Sequence, residues 1–176
     1  MSDPRFPIGK FTYTVPPTEQ EREKYIQDIE NAPAMFRAAV TDLNAKQLDT
    51  PYRDGGWTVR QLIHHMPDSH MNGYIRFRLA LTEDHPTIKP YREELWAETS
   101  DNGVTPPEVS LALLEVLHQR WAKVLRSMKA EDWKRTFNHP DSGVITLERN
   151  LALYAWHGHH HSAHINVLRK KVGWDN

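Results

Sequence analysis

Three threonines and a proline punctuate this chain. Thr18, Thr58 and Thr146 each stand just ahead of a stretch with helical apolar spacing, and Pro107 opens a fourth. A threonine at a helix N-cap accepts a hydrogen bond from an orphan amide of the first turn, and a Glu or Gln three residues on returns one. Glu21 and Gln61 stand in that place after Thr18 and Thr58. Proline suits the first helical position, where an N–H would have no partner. Four long helices with little strand sequence bury their apolar stripes most economically as a four-helix bundle. The length of 176 residues suits one domain with a real core, and no repeat or composition shift divides 1–176. The expected fold class is therefore all-α.

Residues 1–17 carry four prolines and the β-like stretch Phe11 to Val15, which reads as an extended arm packed on the body. A helix is expected over 19–30, with a second started by Pro33 and running to Leu43. Residues 44–56 read as a loop with one helical turn at 45–48. After Thr58, the residues Val59, Leu62, Ile63 and Met66 have core spacing, and Pro67 predicts a kink near His65 before the helix resumes to Thr82. Residues 83–106 hold Pro86, Pro90, Gly103 and Pro106 and read as a long connection with a short helix at 92–97. That is longer than an up-down hairpin needs, so it can cross the bundle. The helix from Pro107 to Met128 places Leu113, Val116, Leu117, Trp121 and Leu125 on one stripe. One more turn is expected at 131–134, a tight turn at His139–Gly143, and a last helix over 147–171.

The chain has no cysteine, which excludes disulfides, thiolate ligands and a cysteine nucleophile. Any thiol in its chemistry would come from a substrate. Its 22 basic and 23 acidic residues leave a net charge of -1, which advertises neither nucleic acid nor a membrane surface as partner. No run of about 18 apolar residues is present, and Met1 to Pro7 lack the apolar core of a signal peptide, so a cytoplasmic location is expected.

Five of the 11 histidines fall between Trp156 and His164. His157 and His161 are four apart, as are His160 and His164, and such pairs stand one above the other on a helix. Two imidazoles so placed can grip one divalent ion from the same side. With about 100° per residue and Leu147 at zero, Ile165 falls near 0°, Leu151 near about 40° and Tyr154 near about 340°. His161 and His157 fall at about 320° and about 280°, His164 and His160 at about 260° and about 220°, and His159 points away at about 120°. The 157/161 pair thus flanks the apolar seam better. Gly158 lies inside the seam and leaves room for a neighbour. A third imidazole could come from upstream, where the wheel puts His64 toward solvent and does not choose between His65 and His70. The plainer alternative is a set of buried histidines that each find a hydrogen bond.

The segment Trp57 to His65, followed by Asp68-Ser69-His70-Met71-Asn72, resembles the second-helix motif of the DinB-like (damage-inducible B) superfamily, and in particular the YfiT group of metal-dependent hydrolases. Tyr74 to Glu83, Tyr154 to His164, Tyr52-Arg53 and Gly173-Trp174 are similar to that group as well. The resemblance covers nearly the whole chain. It implies a four-helix bundle in up-down-down-up order and a homodimer. It also implies a metal held by the histidine eight residues after the motif tryptophan and by an H-x-x-x-H pair on the last helix. Those positions are His65, His157 and His161. The extra histidine at 159 departs from the pattern, so His160, His164, His64 and His70 stay as alternatives.

Three neutral imidazoles without a thiolate suit one divalent ion per chain, with Zn²⁺ or Ni²⁺ as first choices. Such a site keeps positions open, and its ion can activate water or hold a substrate thiolate. Asp68, one turn past His65, is the candidate to orient a ligand ring. Arg76 and Arg78 are candidates to clamp an anionic small-molecule substrate. The expected function is metal-dependent hydrolysis. The alternatives are thiol S-transfer of the bacillithiol type and a non-enzymatic sensor or metal-stabilised bundle. A vacant coordination position favours the enzymes, and a fourth protein ligand favours the structural role. Trp121 and Trp156 read as bundle packing, with substrate stacking as the alternative, and serine and His118 show no triad arrangement that spacing alone supports.

Overall fold

The computed structural model describes residues 3–174. Met1, Ser2, Asp175 and Asn176 lie outside the described residues, so the expectations for the extreme ends of 1–176 do too. Four long helices carry the structure: α1 (Glu19–Val40), α3 (Val59–Thr82), α6 (Pro107–Ser127) and α7 (Leu147–Val172). Between them lie three one-turn helices, α2 (Ala45–Leu48), α4 (Glu93–Trp96) and α5 (Asp101–Val104). A 3₁₀ turn at Asp132–Lys134 leads into a hairpin of β1 (Thr136–His139) and β2 (Gly143–Thr146). The caps fall where the sequence puts them. Thr18 and Thr58 close capping boxes with Glu21 and Gln61, the Thr146 side chain accepts from the Arg149 amide, and left-handed Gly173 ends α7.

Four observations correct or refine the expectations. First, α1 is one helix, and Pro33 does not restart it. Proline lacks the N–H that would bond the carbonyl four residues back, here that of Ile29. That carbonyl instead accepts from His118 Nδ1 at 2.6 Å, so the helix continues without an orphan oxygen. Pro67 likewise lies inside α3 without ending it. Second, the turn at His139–Gly143 is the tip of an antiparallel hairpin, paired from Thr136↔Thr146 to His139↔Gly143. Third, Phe11 to Val15 form no strand; the arm lays Phe11 within 5.9 Å of the Trp156 ring and Phe6 within 6.2 Å of His160. Fourth, the buried face of α6 is Leu111, Leu114, Leu117, His118, Trp121 and Leu125, while Leu113 and Val116 are exposed. An apolar-only reading of the stripe skips His118 and so rotates the face.

Helix directions follow from two apolar clusters. One gathers Ile26, Phe77, Leu125, Leu147 and Leu151; the other gathers Phe36, Val40, Val59, Leu62, Leu111, Leu114, Ile165 and Leu168. The first cluster thus holds the starts of α1 and α7 and the ends of α3 and α6, and the second holds the reverse. The order is up-down-down-up, and the 83–106 connection runs the length of the bundle. Each of α1 and α3 packs against both α6 and α7. Between the clusters lie buried imidazoles from three of the four helices: His65, His70, His118 and His161, with half-buried His157 beside them.

Glycine sets two close approaches at this level. A Cβ on Gly158 would meet Ala32 Cβ at 3.1 Å, so the room expected at Gly158 is filled by α1. A Cβ on Gly73 would fall 2.5 Å from Tyr154 Cζ and 2.8 Å from the Trp121 ring. Gly73→Ala should therefore destabilise the protein by about 1–3 kcal/mol despite the better helix propensity of alanine. The midpoint of urea unfolding measures this, and a rise in that midpoint would contradict the packing described here.

Candidate metal centre

The first two turns of α3 carry His65 inward, and the middle of α7 presents His157 and His161 one turn apart. One ring nitrogen from each lies within 4.8 Å of the other two. The ring centroids are 5.5 Å apart for His65 and His157, 5.1 Å for His65 and His161, and 4.3 Å for His157 and His161. His157 Nε2 and His161 Nε2 approach to 3.0 Å. Two nitrogens on one tetrahedral zinc, each about 2.0–2.1 Å from it, would be about 3.3 Å apart. For the His157–His161 pair a shift of a few tenths of an ångström therefore reaches that spacing, and the His65 nitrogen lies within 4.8 Å of both. Among the described residues no fourth His, Asp or Glu joins the group.

Burial keeps these rings uncharged. It pushes His65 down to about 4. His157 and His161 are driven well below the ordinary imidazole value, first by burial and then by the imidazoles around them. Neutral rings offer the lone pairs that a cation needs. His161 Nδ1 is buried without a partner.

The three rings form the floor of an open cavity of about 450 Å³, whose walls include Tyr52, Arg53, Trp57, Glu93 and Trp156. The loop that carries Tyr52 and Trp57 is closed by a bridge between Pro51 and Thr58, which sets the Trp57 ring 4.7 Å from His65. A second cavity of about 250 Å³ is bordered by Ser69, Arg76, Tyr91, Glu93, His139 and His157. Glu93 and His157 border both cavities. Desolvation, and then neighbouring Glu94, hold the Glu93 carboxyl above its usual range.

The other sequence candidates separate. Arg76 borders the smaller cavity, whereas Arg78 is exposed and lines neither. The Asp68 carboxyl is pushed up to about 6 by burial and by Asp101, and no hydrogen bond joins it to the three rings among the described residues. His64, expected toward solvent, is buried with Nδ1 2.8 Å from Ser110 Oγ, because α5 and α6 cover that side of α3. His159 turns to Asp28 on α1 at 3.1 Å. His160 and His164 pair with each other at 3.1 Å; His160 stacks on Trp156, and the His164 ring lies tilted 4.4 Å from that of Tyr52.

His70 is not in the group of three but touches it, with Nε2 3.0 Å from His157 Nδ1 and Nδ1 2.8 Å from His118 Nε2. Sequence reasoning missed His118. Its signal is its place on the α6 stripe Leu114, His118, Trp121, Leu125, a buried register for a ring that needs partners on both sides.

The sequence profile of the DinB superfamily matches residues 28–165. A Bacillus cereus protein named "Putative metal-dependent hydrolase" is 58% identical over 174 residues, covering 99% of this chain and 100% of the relative. A Bacillus anthracis protein of the same name matches equally well. Among solved structures, YfiT from Bacillus subtilis, described as a probable metal-dependent hydrolase with an unusual four-helix bundle topology, superposes with a TM-score of 0.95. It is 49% identical and covers 98% of this chain and 99% of its own. The mycothiol-dependent maleylpyruvate isomerase shares the fold at a TM-score of 0.61 and 14% identity, over 79% of this chain and 60% of that one.

The depressed imidazoles have a consequence for stability. Burial pushes His65 and His118 down to about 4, while the unfolded chain's imidazoles titrate near 6.5. Between those values the unfolded chain takes up protons that the folded chain refuses, so stability falls as pH falls. Metal-free protein should lose on the order of 1–2 kcal/mol per pH unit below about 6.5. Urea unfolding with chelator at about pH 7 and about pH 5 measures the slope, and equal stability at both would contradict neutral burial.

Proposed function

The chain belongs to the DinB superfamily, and on that premise we propose that it is a metal-dependent hydrolase in which His65, His157 and His161 hold one divalent ion, Zn²⁺ or Ni²⁺. The observation that carries this reading is the convergence of three neutral imidazoles on the floor of an open cavity, with no fourth protein ligand beside them among the described residues. A closed structural site would complete its coordination with side chains, whereas a catalytic one leaves a face for substrate. An ion held there would supply Lewis acidity toward a carbonyl or phosphoryl oxygen and toward water.

The remaining work falls to this chain's own groups. Trp57 and Trp156 narrow the cavity and exclude bulk water. Glu93, whose carboxyl is held above its usual range at the cavity wall, is the group placed to take up and return a proton. Arg76, beside Glu93 and His157, is placed to receive an anionic end of a small-molecule substrate. Asp68 acts, in this reading, through the electrostatics of α3 and not by holding a ring. No described helix is long and apolar enough to cross a membrane. The cytoplasmic location expected from the sequence and the homodimer implied by the family resemblance alone remain part of the proposal.

His157→Ala should lose most of the bound metal, and His159→Ala should keep it, as read by metal analysis of the purified proteins. Glu93→Gln should keep the metal and lose about 10²-fold or more in kcat. The assay panel holds esters, amides, and a low-molecular-weight thiol with an electrophile. Turnover of the thiol pair alone would replace hydrolysis by thiol transfer. Turnover unchanged after metal removal would overturn both.

A further inference from the structure

A line of hydrogen bonds crosses the middle of the bundle and ends at the candidate site. It starts at the Ile29 carbonyl, which Pro33 leaves without its helical donor. His118 Nδ1 lies 2.6 Å from that oxygen, and His118 Nε2 lies 2.8 Å from His70 Nδ1. His70 Nε2 lies 3.0 Å from His157 Nδ1, and His157 Nε2 faces His161 Nε2 at 3.0 Å. His70 is fully buried, His118 nearly so, and their rings stack at 4.8 Å.

The direction of these bonds is fixed from one end. A carbonyl oxygen only accepts, so His118 Nδ1 carries a hydrogen. In a neutral His118, Nε2 is then an acceptor, so His70 donates from Nδ1. Neutral His70 accepts at Nε2, so His157 donates from Nδ1. His157 Nε2 is left with a lone pair, aimed at the cluster. His70 and His118 are sealed from water, where a charged ring costs far more than a neutral one, which favours the neutral form. In the 160/164 pair, by contrast, His160 Nδ1 is buried without a partner.

We propose that His118 and His70 are positioning residues: a two-imidazole relay, anchored on the carbonyl that Pro33 releases, fixes His157 as its Nδ1–H tautomer and keeps the Nε2 lone pair turned toward the shared cation. The purpose of the relay rests on the metal reading above, but its polarity does not. A histidine whose other ring nitrogen donates to a fixed acceptor is a better-oriented and more basic ligand. Here the acceptor is reached through two further rings, and the ultimate anchor is a backbone oxygen on α1, a helix that carries none of the three candidate ligands.

The test reads tautomers in metal-free, ¹⁵N-labelled protein by two-bond ¹H–¹⁵N correlation of the imidazole rings. His118, His70 and His157 are expected each to show a protonated Nδ1 and an unprotonated Nε2. His118→Phe keeps the volume and breaks the relay; His157 should then lose its single tautomer, and Zn²⁺ affinity by chelator competition should fall about 10–100-fold. His118→Gln, whose amide can donate to Ile29 and accept from His70, should recover most of that loss. Pro33→Ala leaves every ring in place and supplies an N–H that competes for the Ile29 carbonyl; it should weaken Zn²⁺ binding in the same direction. A wild-type His157 protonated on Nε2 overturns the relay, as does a folded His118→Phe with unchanged tautomer and affinity. A protein that binds no Zn²⁺ yet shows this tautomer pattern supports the relay and overturns the proposed function.

Discussion

Removing imidazoles from water in the middle of a helical bundle is the constraint around which this structure is arranged. A buried polar ring costs several kcal/mol unless its nitrogens are partnered, and a charged one costs more. The layer of His65, His70, His118, His157 and His161 therefore divides the core into two apolar halves and has to be served by its surroundings. Tyr154, Trp121 and Trp57 pack against its rings. Gly73 lets Tyr154 and Trp121 close on α3, and Gly158 lets α1 close on α7. The proline in α1, which would ordinarily weaken a helix interior, supplies the acceptor that His118 needs.

Much of this was legible in the sequence, for local reasons. Caps at Thr18, Thr58 and Thr146 are decided by the first turn of each helix, so they could be read without tertiary information. The 157/161 pair could be placed because the period of α7 is unbroken from Leu147 to Leu168. The ring on α3 could not be chosen from the wheel, because Pro67 made later phases unreliable; the family resemblance supplied His65, and the geometry puts His65 in the group of three. What stayed hidden depended on contacts distant in sequence. Whether Pro33 ends α1 turns on a donor, His118, 89 residues from the Ile29 carbonyl that the proline frees. Whether His64 faces solvent turns on the course of the 83–106 connection. The β1–β2 hairpin is only four residues a side, too short for alternation to announce it.

The arrangement links fold to chemistry through division of labour between the helices. Helices α3 and α7 present the three imidazoles, the loop from Pro51 to Thr58 and the N-terminal arm wall the cavity above them, and α4 brings Glu93 to its edge. Helices α1 and α6 add no ring to the group of three, yet through Ile29 and His118 they govern the hydrogen bonding behind it. An up-down-down-up order suits this, since it sets α3 and α7 side by side with the start of one against the end of the other.

The central claim is that imidazoles from two helices share one cation with a face left vacant. It is tested most directly by a crystal of zinc-loaded protein with diffraction data collected on both sides of the zinc absorption edge. The account predicts one anomalous peak per chain, bonded to nitrogens of His65, His157 and His161 at about 2.0–2.1 Å, with its remaining position toward the cavity. A peak bound instead between His160 and His164, or no peak near the three rings, would contradict it.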